Sequence, residues 1–123
     1  MSDTIRIMIV EDHTVVRQGF IALLRLVDGF QIVAETANGE EAVRLYESHR
    51  PDVTLMDLRL PGMSGLELQH RLVIDNDHLP IVFVSAHDEP ETRYAAMKAG
   101  AIAFLSKPFN DEALVDAVRS VVK

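Results

Sequence analysis

The 123-residue sequence contains no cysteine, no long apolar run and no excess of basic residues. Without cysteine the chain has no disulfide framework and no thiol chemistry, a composition that fits a reducing cytoplasm. The apolar run IRIMIV near the N-terminus is short and contains Arg6, so it predicts neither a signal peptide nor a membrane span. The formal net charge of −7 argues against a chain that binds the phosphate backbone of a nucleic acid by itself. The same charge permits basic partners and suits a Mg²⁺ site.

The sequence does contain enough apolar residues for one core. Hydrophobic residues make up 48% and charged residues 25% of a chain that has the length of one domain. It shows no internal repeat, low-complexity segment or linker. We therefore expect a single domain over residues 1–123.

Short β-branched runs alternate with stretches of helical period. Four of the five runs are nearly continuous apolar, which is typical of strands buried on both faces. The predicted strands are Ile5–Val10, Gln31–Glu35, Val53–Asp57, Ile81–Ser85 and Ile102–Leu105. Helical stripes lie at Val16, Phe20, Leu23 and Leu24, at Ala42, Leu45 and Tyr46, and at Leu114, Val118 and Val121. The alternation predicts a right-handed, doubly wound α/β domain, with the strand order left open.

Polar residues follow four of the predicted strands. Glu11 and Asp12 come after the first strand and Asp57 ends the third, while Ser85 ends the fourth and Lys107 follows the fifth. Because the carboxyl ends of parallel strands meet at one edge, these side chains are expected to share a small volume. Carboxylates suit Mg²⁺, and a carboxylate beside a metal can attack phosphorus, with an ammonium to neutralise the phosphoryl oxygens. Without a metal, at least one of the clustered acids should have a raised pKa.

Two neighbouring features refine this interpretation. The segment LRLPGMSG after Asp57 predicts a tight loop that can turn the backbone carbonyl of Arg59 toward a metal. His13, beside the two acids, is interpreted as opening the first helix rather than as a ligand. A third feature lies apart from these residues: the side chain of Asn110 is predicted to cap the last helix.

Four segments together resemble the receiver domain of a bacterial two-component response regulator. They are IRIMIVEDH, VTLMDLRLPGMSGLEL, IVFVSAH and AMKAGAIAFLSKPF, within a resemblance that spans about residues 5–122, and the last is similar to receivers of the FixJ type. The resemblance implies a flavodoxin-like fold, a five-stranded parallel sheet in the order 2-1-3-4-5 flanked by five helices. It also implies a phosphorylatable switch that changes the surface of the fourth helix, fifth strand and fifth helix.

The resemblance assigns roles to individual residues. They are the phosphoacceptor Asp57; a Mg²⁺ (or Mn²⁺) site of Glu11, Asp12, Asp57 and the Arg59 carbonyl; the phosphoryl-contacting and switch residues Ser85, Lys107 and Phe104; and Arg59 and His87, which tune dephosphorylation. Three of these residues depart from the common pattern of the family. Glu11 stands where many members have Asp, Ser85 replaces the commoner Thr, and Phe104 lacks the hydroxyl of the frequent Tyr.

The resemblance also implies partners. A sensor histidine kinase would donate the phosphoryl group, and phosphorylation would favour a homodimer. No output domain is expected in this chain, so a role in transcription would require DNA binding by an output domain outside it. We expect a cytoplasmic protein without membrane contact, and no enzyme activity beyond its own phosphorylation and dephosphorylation.

Other classes of protein are compatible with this fold. A flavodoxin-like small-ligand module would need a phosphate-cradling loop after the first strand, where Glu11 and Asp12 would repel a phosphate. A phosphatase with an Asp nucleophile usually has a second acid two residues later, and Arg59 stands there. A receiver-like module that is never phosphorylated would not need the complete set of acids, hydroxyl and lysine.

Overall fold

Strands and helices alternate along the chain as the sequence predicts. A computed structural model describes residues 4–75, 80–86, 89–107 and 110–122. The strands of the main sheet are β1 (Ile5–Val10), β2 (Phe30–Thr36), β3 (Val53–Asp57), β4 (Ile81–Ser85) and β5 (Ala103–Ser106). The helices are α1 (Thr14–Arg25), α2 (Gly39–His49), α3 (Gly65–Asp75), α4 (Pro90–Lys98) and α5 (Asp111–Arg119), and a 3₁₀ turn (Ser120–Val122) follows α5.

The five strands form one parallel sheet in the order β2-β1-β3-β4-β5. This order and the flanking helices confirm the expected doubly wound, flavodoxin-like architecture. Asp57 pairs with Val84 and Ser85 pairs with Ser106, so β3, β4 and β5 end almost level with one another. The chain reverses its direction of winding between β1 and β3, which is where such sheets form a crevice at their carboxyl edge.

Alternate residues of each strand pack on opposite faces of the sheet. In β1, Ile5, Ile7 and Ile9 belong to a cluster with α1 and α5, whereas Met8 and Val10 belong to a cluster with α2, α3 and α4. This period of two is the geometry of an extended strand. Both faces are covered, which explains why the central strands are apolar along nearly their whole length.

Several boundaries differ from the sequence prediction. β2 is one residue longer at each end, β5 begins and ends one residue later, and α5 ends before Val121. An antiparallel ladder that the sequence did not predict pairs Arg59–Leu60 with Met63–Ser64. The predicted cap is confirmed, because the Asn110 side chain accepts a hydrogen bond from the Ala113 amide at 2.7 Å. Among the described residues, no helix has the length and apolar character that crossing a membrane requires.

Gly65 lets the segment after Asp57 fold back against the end of β3. Its amide donates a hydrogen bond to the Leu58 carbonyl at 2.6 Å. A Cβ atom at this position would overlap the backbone oxygen of Asp57 and lie 2.8 Å from the Leu58 Cα. Because both obstacles are backbone atoms, a side chain here would have to displace the segment that carries the Asp57 carboxylate.

We predict that Gly65→Ala lowers the free energy of unfolding by about 1–3 kcal/mol, because the new methyl group is overpacked against backbone. Gly19→Ala is the matched control, since a Cβ atom there meets nothing within 4 Å in the middle of α1. That control should gain about 0.5–1 kcal/mol from helix propensity and reduced chain entropy. Urea unfolding followed by circular dichroism measures both, and a Gly65→Ala protein as stable as the wild type would contradict the prediction.

Candidate functional site

The predicted side chains converge at the carboxyl edge of the sheet. Glu11, Asp12, His13 and Asp57 each place one potential ligand atom so that all four atoms lie within 4.8 Å of one another. Glu11 and Asp57 are buried, with exposed fractions of 0% and 5%. We call this group of four the acidic pocket. The structure thus brings together the carboxylates that the sequence placed at this edge.

Lys107 faces the acidic pocket from the end of β5. Its Nζ lies 3.5 Å from Glu11 Oε1 and 3.9 Å from Asp57 Oδ2. The Lys107 amide donates a hydrogen bond to the Ser85 carbonyl at 2.8 Å, which ties the end of β5 to the end of β4. One ammonium therefore stands beside two buried carboxylates, as the sequence predicted.

The Asp57 carboxylate is oriented by the backbone that follows it. The Arg59 amide donates a hydrogen bond to Asp57 Oδ1 at 3.2 Å. Oδ2 is the oxygen on the side of Lys107. The two oxygens therefore have different surroundings, and a group attached to Oδ2 would lie next to an ammonium. The proposed contact of the Arg59 carbonyl with a metal stays a prediction.

Glu11 is held in a pocket that disfavours its charge. Burial raises the pKa of Glu11 above its ordinary value. The hydrogen bond from the His13 backbone opposes the rise, the Asp57 carboxylate adds to it, and Lys107 opposes it. The expected raised pKa among the clustered acids is confirmed, although burial contributes more than the neighbouring acid.

Two oxygens of the acidic pocket show that it fits a cation. Glu11 Oε1 and Asp12 Oδ1 are buried and accept no hydrogen bond from the described residues. Their nearest positive or ring-nitrogen neighbours are Lys107 Nζ at 3.5 Å and His13 Nδ1 at 3.3 Å. Buried carboxylate oxygens that accept no hydrogen bond are costly, and a hard divalent cation that prefers such ligands would satisfy them. The donor set is therefore suited to Mg²⁺ or Mn²⁺.

The side chain of His13 makes contacts that the sequence interpretation did not foresee. It stands at the N-cap of α1, as expected, and its side chain caps no amide there. Instead its Nδ1 lies 3.1 Å from Glu11 Oε2 and 3.3 Å from Asp12 Oδ1. Its position directly after the two acids was the available signal, because a residue that begins a helix can turn its side chain back over the preceding strand end.

Ser85 and Phe104 are the residues that the sequence resemblance assigns to the switch, a role that stays a prediction. Both are buried, and the Phe104 ring lies 6.0 Å from the ring of Phe83, measured between centroids. The guanidinium of Arg93 in α4 covers Phe104 at 4.9 Å and donates a hydrogen bond to Ser106 Oγ at 2.9 Å. Sequence reasoning missed Arg93, because no local pattern predicts which residue of β5 an α4 side chain will reach.

One predicted residue falls outside the part of the chain that the structure describes. His87 was expected to tune dephosphorylation, and it lies outside the described residues. Its role stays a prediction.

The fold and the acidic pocket together define a class of protein, a doubly wound α/β domain with carboxylates and a lysine at the carboxyl edge of its sheet. The family model described as response regulator receiver domain matches residues 7–119. The chain therefore belongs to the receiver domains of two-component response regulators, and the resemblance seen in the sequence is confirmed. A flavodoxin-like small-ligand module is not favoured.

Individual relatives agree with this assignment. The chain is 42% identical over 115 residues to nodulation protein W of Bradyrhizobium diazoefficiens, covering 91% of this chain and 48% of that protein. It is 33% identical over 117 residues to response regulator GacA of Pseudomonas aeruginosa, covering 95% and 55%. A LuxR-family two-component response regulator from Aurantimonas sp. SI85-9A1 matches with a TM-score of 0.92 at 34% identity, covering 97% of this chain and 85% of that one. The chain spans about half the length of the curated relatives it matches.

We predict that Glu11→Gln raises the melting temperature near neutral pH. Since the pKa of Glu11 is raised in the folded state, the folded protein binds more protons than the unfolded one, and stability falls as pH rises through that range. Glutamine keeps an acceptor without the charge. The gain should shrink as the pH falls from the raised pKa of Glu11 toward its ordinary value. Mg²⁺ should raise the melting temperature of the wild type more than that of Glu11→Gln, which lacks one carboxylate of the pocket.

The exposed Glu112 provides the control for this experiment. Glu112→Gln should give no gain at any pH, because its carboxylate is already solvated. Calorimetry across pH measures all three proteins. A melting temperature that Glu11→Gln lowers near neutral pH would contradict the electrostatic argument.

Proposed function

We propose that this receiver accepts a phosphoryl group on Asp57 from a phosphohistidine of a sensor kinase. The observation that carries the proposal is the position of Lys107, whose Nζ lies within 4 Å of both the Glu11 and the Asp57 carboxylates. An ammonium beside an oriented, buried carboxylate is what a phosphoryl acceptor needs, because the product adds negative charge at that point.

In the proposed transfer, a carboxylate oxygen of Asp57 forms a bond to phosphorus as the phosphorus–nitrogen bond to the donor histidine breaks. The imidazole leaves with the electron pair of that bond and is the neutral leaving group once it has taken a proton. The Arg59 amide holds Oδ1, and Lys107 pairs with an oxygen of a phosphoryl group formed on Oδ2. The domain thus catalyses only its own phosphorylation and, with water as the acceptor, its own dephosphorylation.

The residues that would hold a divalent cation are Glu11, Asp12, Asp57 and the backbone carbonyl of Arg59. When bound, Mg²⁺ or Mn²⁺ supplies positive charge that neutralises both the clustered carboxylates and the phosphoryl oxygens. The buried oxygens of Glu11 and Asp12 that accept no hydrogen bond support this assignment.

The proposed switch connects this chemistry to a surface. The Ser85 hydroxyl moves toward the phosphoryl group, Phe104 fills the space that it leaves, and the face formed by α4, β5 and α5 adopts another packing. Such a population shift is worth about 1–3 kcal/mol of coupling. Arg59 and His87 would tune the lifetime of the phosphorylated state by controlling the access of water to the phosphoryl group.

The readout that we propose is homodimerisation, or the release of an output domain, in a cytoplasmic protein. The similarity to a solved chain of a LuxR-family two-component response regulator from Aurantimonas sp. SI85-9A1 supports a role in transcription, with DNA bound by a segment outside the receiver. The net charge of −7 supports the same division of labour, because the receiver itself would repel DNA. We propose residues 1–123 as a single receiver domain.

We predict that acetyl phosphate with Mg²⁺ adds one phosphoryl mass to the wild type and none to Asp57→Asn. The amide has no charged oxygen to attack phosphorus, and its near-identical shape should leave the fold intact. Asp116→Asn is the control, because Asp116 is exposed in α5. Intact-protein mass spectrometry measures the reaction, and stoichiometric labelling of Asp57→Asn would assign the acceptor to another residue.

We also predict that Lys107→Ala keeps Mg²⁺ binding but uncouples phosphorylation from the surface change. Loss of the ammonium removes the partner of the phosphoryl oxygens without removing a cation ligand. Chemical shifts of α4 and α5 amides, and the sedimentation of the phosphorylated protein, report the surface change. Arg44→Ala removes one positive charge from the exposed side of α2 and should behave as wild type. A normal response of Lys107→Ala would exclude Lys107 from the switch.

A further inference from the structure

We propose that His13 is a nitrogen ligand of the acidic pocket, so that this receiver binds a first-row transition ion such as Ni²⁺, Co²⁺ or Zn²⁺ through mixed nitrogen and oxygen ligands. The inference rests on the proposed cation pocket and is independent of phosphoryl transfer. It adds an imidazole to a site otherwise made of oxygens.

The first argument is the spacing of three ligand atoms from consecutive residues. His13 Nδ1 lies 3.1 Å from Glu11 Oε2 and 3.3 Å from Asp12 Oδ1. Neighbouring ligand atoms are about 3.0 Å apart in an octahedral site with bonds of about 2.1 Å, and about 3.3 Å apart in a tetrahedral site with bonds of about 2.0 Å. His13 Nδ1 therefore already stands, relative to each of the two oxygens, at a separation found along the edges of a coordination polyhedron.

The second argument is that the pocket holds buried carboxylate oxygens that accept no hydrogen bond, although Lys107 Nζ lies 3.5 Å from Glu11 Oε1. The Glu11 side chain is 1% exposed, and its Oε1 accepts no hydrogen bond from the described residues. Asp12 Oδ1, the same oxygen that lies next to His13, is also buried without a hydrogen bond. These oxygens point to a cation, and His13 Nδ1 lies 3.3 Å from one of them, Asp12 Oδ1.

The third argument is that His13 can serve as a ligand without disturbing the core. Its side chain is 70% exposed and makes no capping hydrogen bond to α1. The helix start is therefore independent of the ring, which can reorient by a small rotation. Its backbone amide separately donates to Glu11 Oε2 at 3.1 Å and would keep that carboxylate in place if the ring were removed.

The chemistry of the donors then decides which ions gain from His13. Imidazole nitrogen suits Ni²⁺, Zn²⁺ and related ions, whereas Mg²⁺ prefers oxygen and keeps its waters. His13 should therefore raise the affinity for a transition ion and leave the affinity for Mg²⁺ nearly unchanged. The carboxylates should contribute to both.

The test is isothermal titration of untagged protein with Ni²⁺ alone and with Mg²⁺ alone. His13→Gln should lower the affinity for Ni²⁺ by about tenfold or more, because a nitrogen ligand is lost. The same variant should change the affinity for Mg²⁺ by less than about threefold. His70→Gln, on the exposed face of α3, is the matched control for Ni²⁺ bound elsewhere by histidine. In the wild type, substoichiometric Ni²⁺ should broaden the ring signals of His13 before those of the other histidines.

The outcomes separate this inference from the proposed function. If both ions bind the wild type and His13→Gln equally, His13 is only a hydrogen-bonding neighbour and the inference fails, while the Mg²⁺ site stands. If neither Mg²⁺ nor Ni²⁺ binds the wild type in this pocket, the cation site itself fails. A selective loss of Ni²⁺ affinity in His13→Gln, with its circular dichroism spectrum unchanged, establishes the nitrogen ligand.

Discussion

The constraint on which this structure depends is negative charge crowded at the carboxyl edge of a parallel sheet. The topology brings the ends of β1 and β3 side by side, and with them Glu11, Asp12 and Asp57. Burial strengthens their mutual repulsion, because the Coulomb energy of a pair rises as the surrounding dielectric constant falls. Lys107 offsets part of this charge, and the pKa of Glu11 nevertheless stays raised, first because the group is buried and then because the Asp57 carboxylate lies beside it. The excess of carboxylates would favour a cation in this site, and the Lys107 ammonium would favour a phosphoryl group.

Much of this arrangement could be predicted from the sequence. β1, β3 and β4 have the predicted bounds, because strands buried on both faces leave continuous apolar runs. The bounds of the edge strands differ from the prediction by one residue, since an edge strand has only one neighbour: β2 is longer at each end, and β5 is shifted toward the C-terminus. The ladder of Arg59–Leu60 with Met63–Ser64 left no signal, because two residues on each side are too few to show a period.

Some residues of the candidate site could be predicted from the sequence, and others could not. Residues directly after strands could be placed, because the sheet fixes where strand ends lie. The ring of His13 and the guanidinium of Arg93 could not, since their contacts depend on rotamers and on the packing of a helix against a strand. Both side chains contact predicted site residues: His13 contacts Glu11, and Arg93 contacts Phe104. Sequence patterns locate the elements of the site, and the direction of its long side chains follows only from tertiary structure.

The position of β5 explains how the proposed site could act on a surface. This strand is at the edge of the sheet, where β4 is its single neighbour among the described strands, and Lys107 follows it directly. Phe104 and Ser106 lie on the same short strand and both contact Arg93 of α4. An edge strand can shift by breaking fewer contacts than β3, which is paired on both sides and buried along its length. A displacement of Lys107 would therefore shift β5, and with it Arg93 and α4, more readily than it would shift the strands at the centre of the sheet.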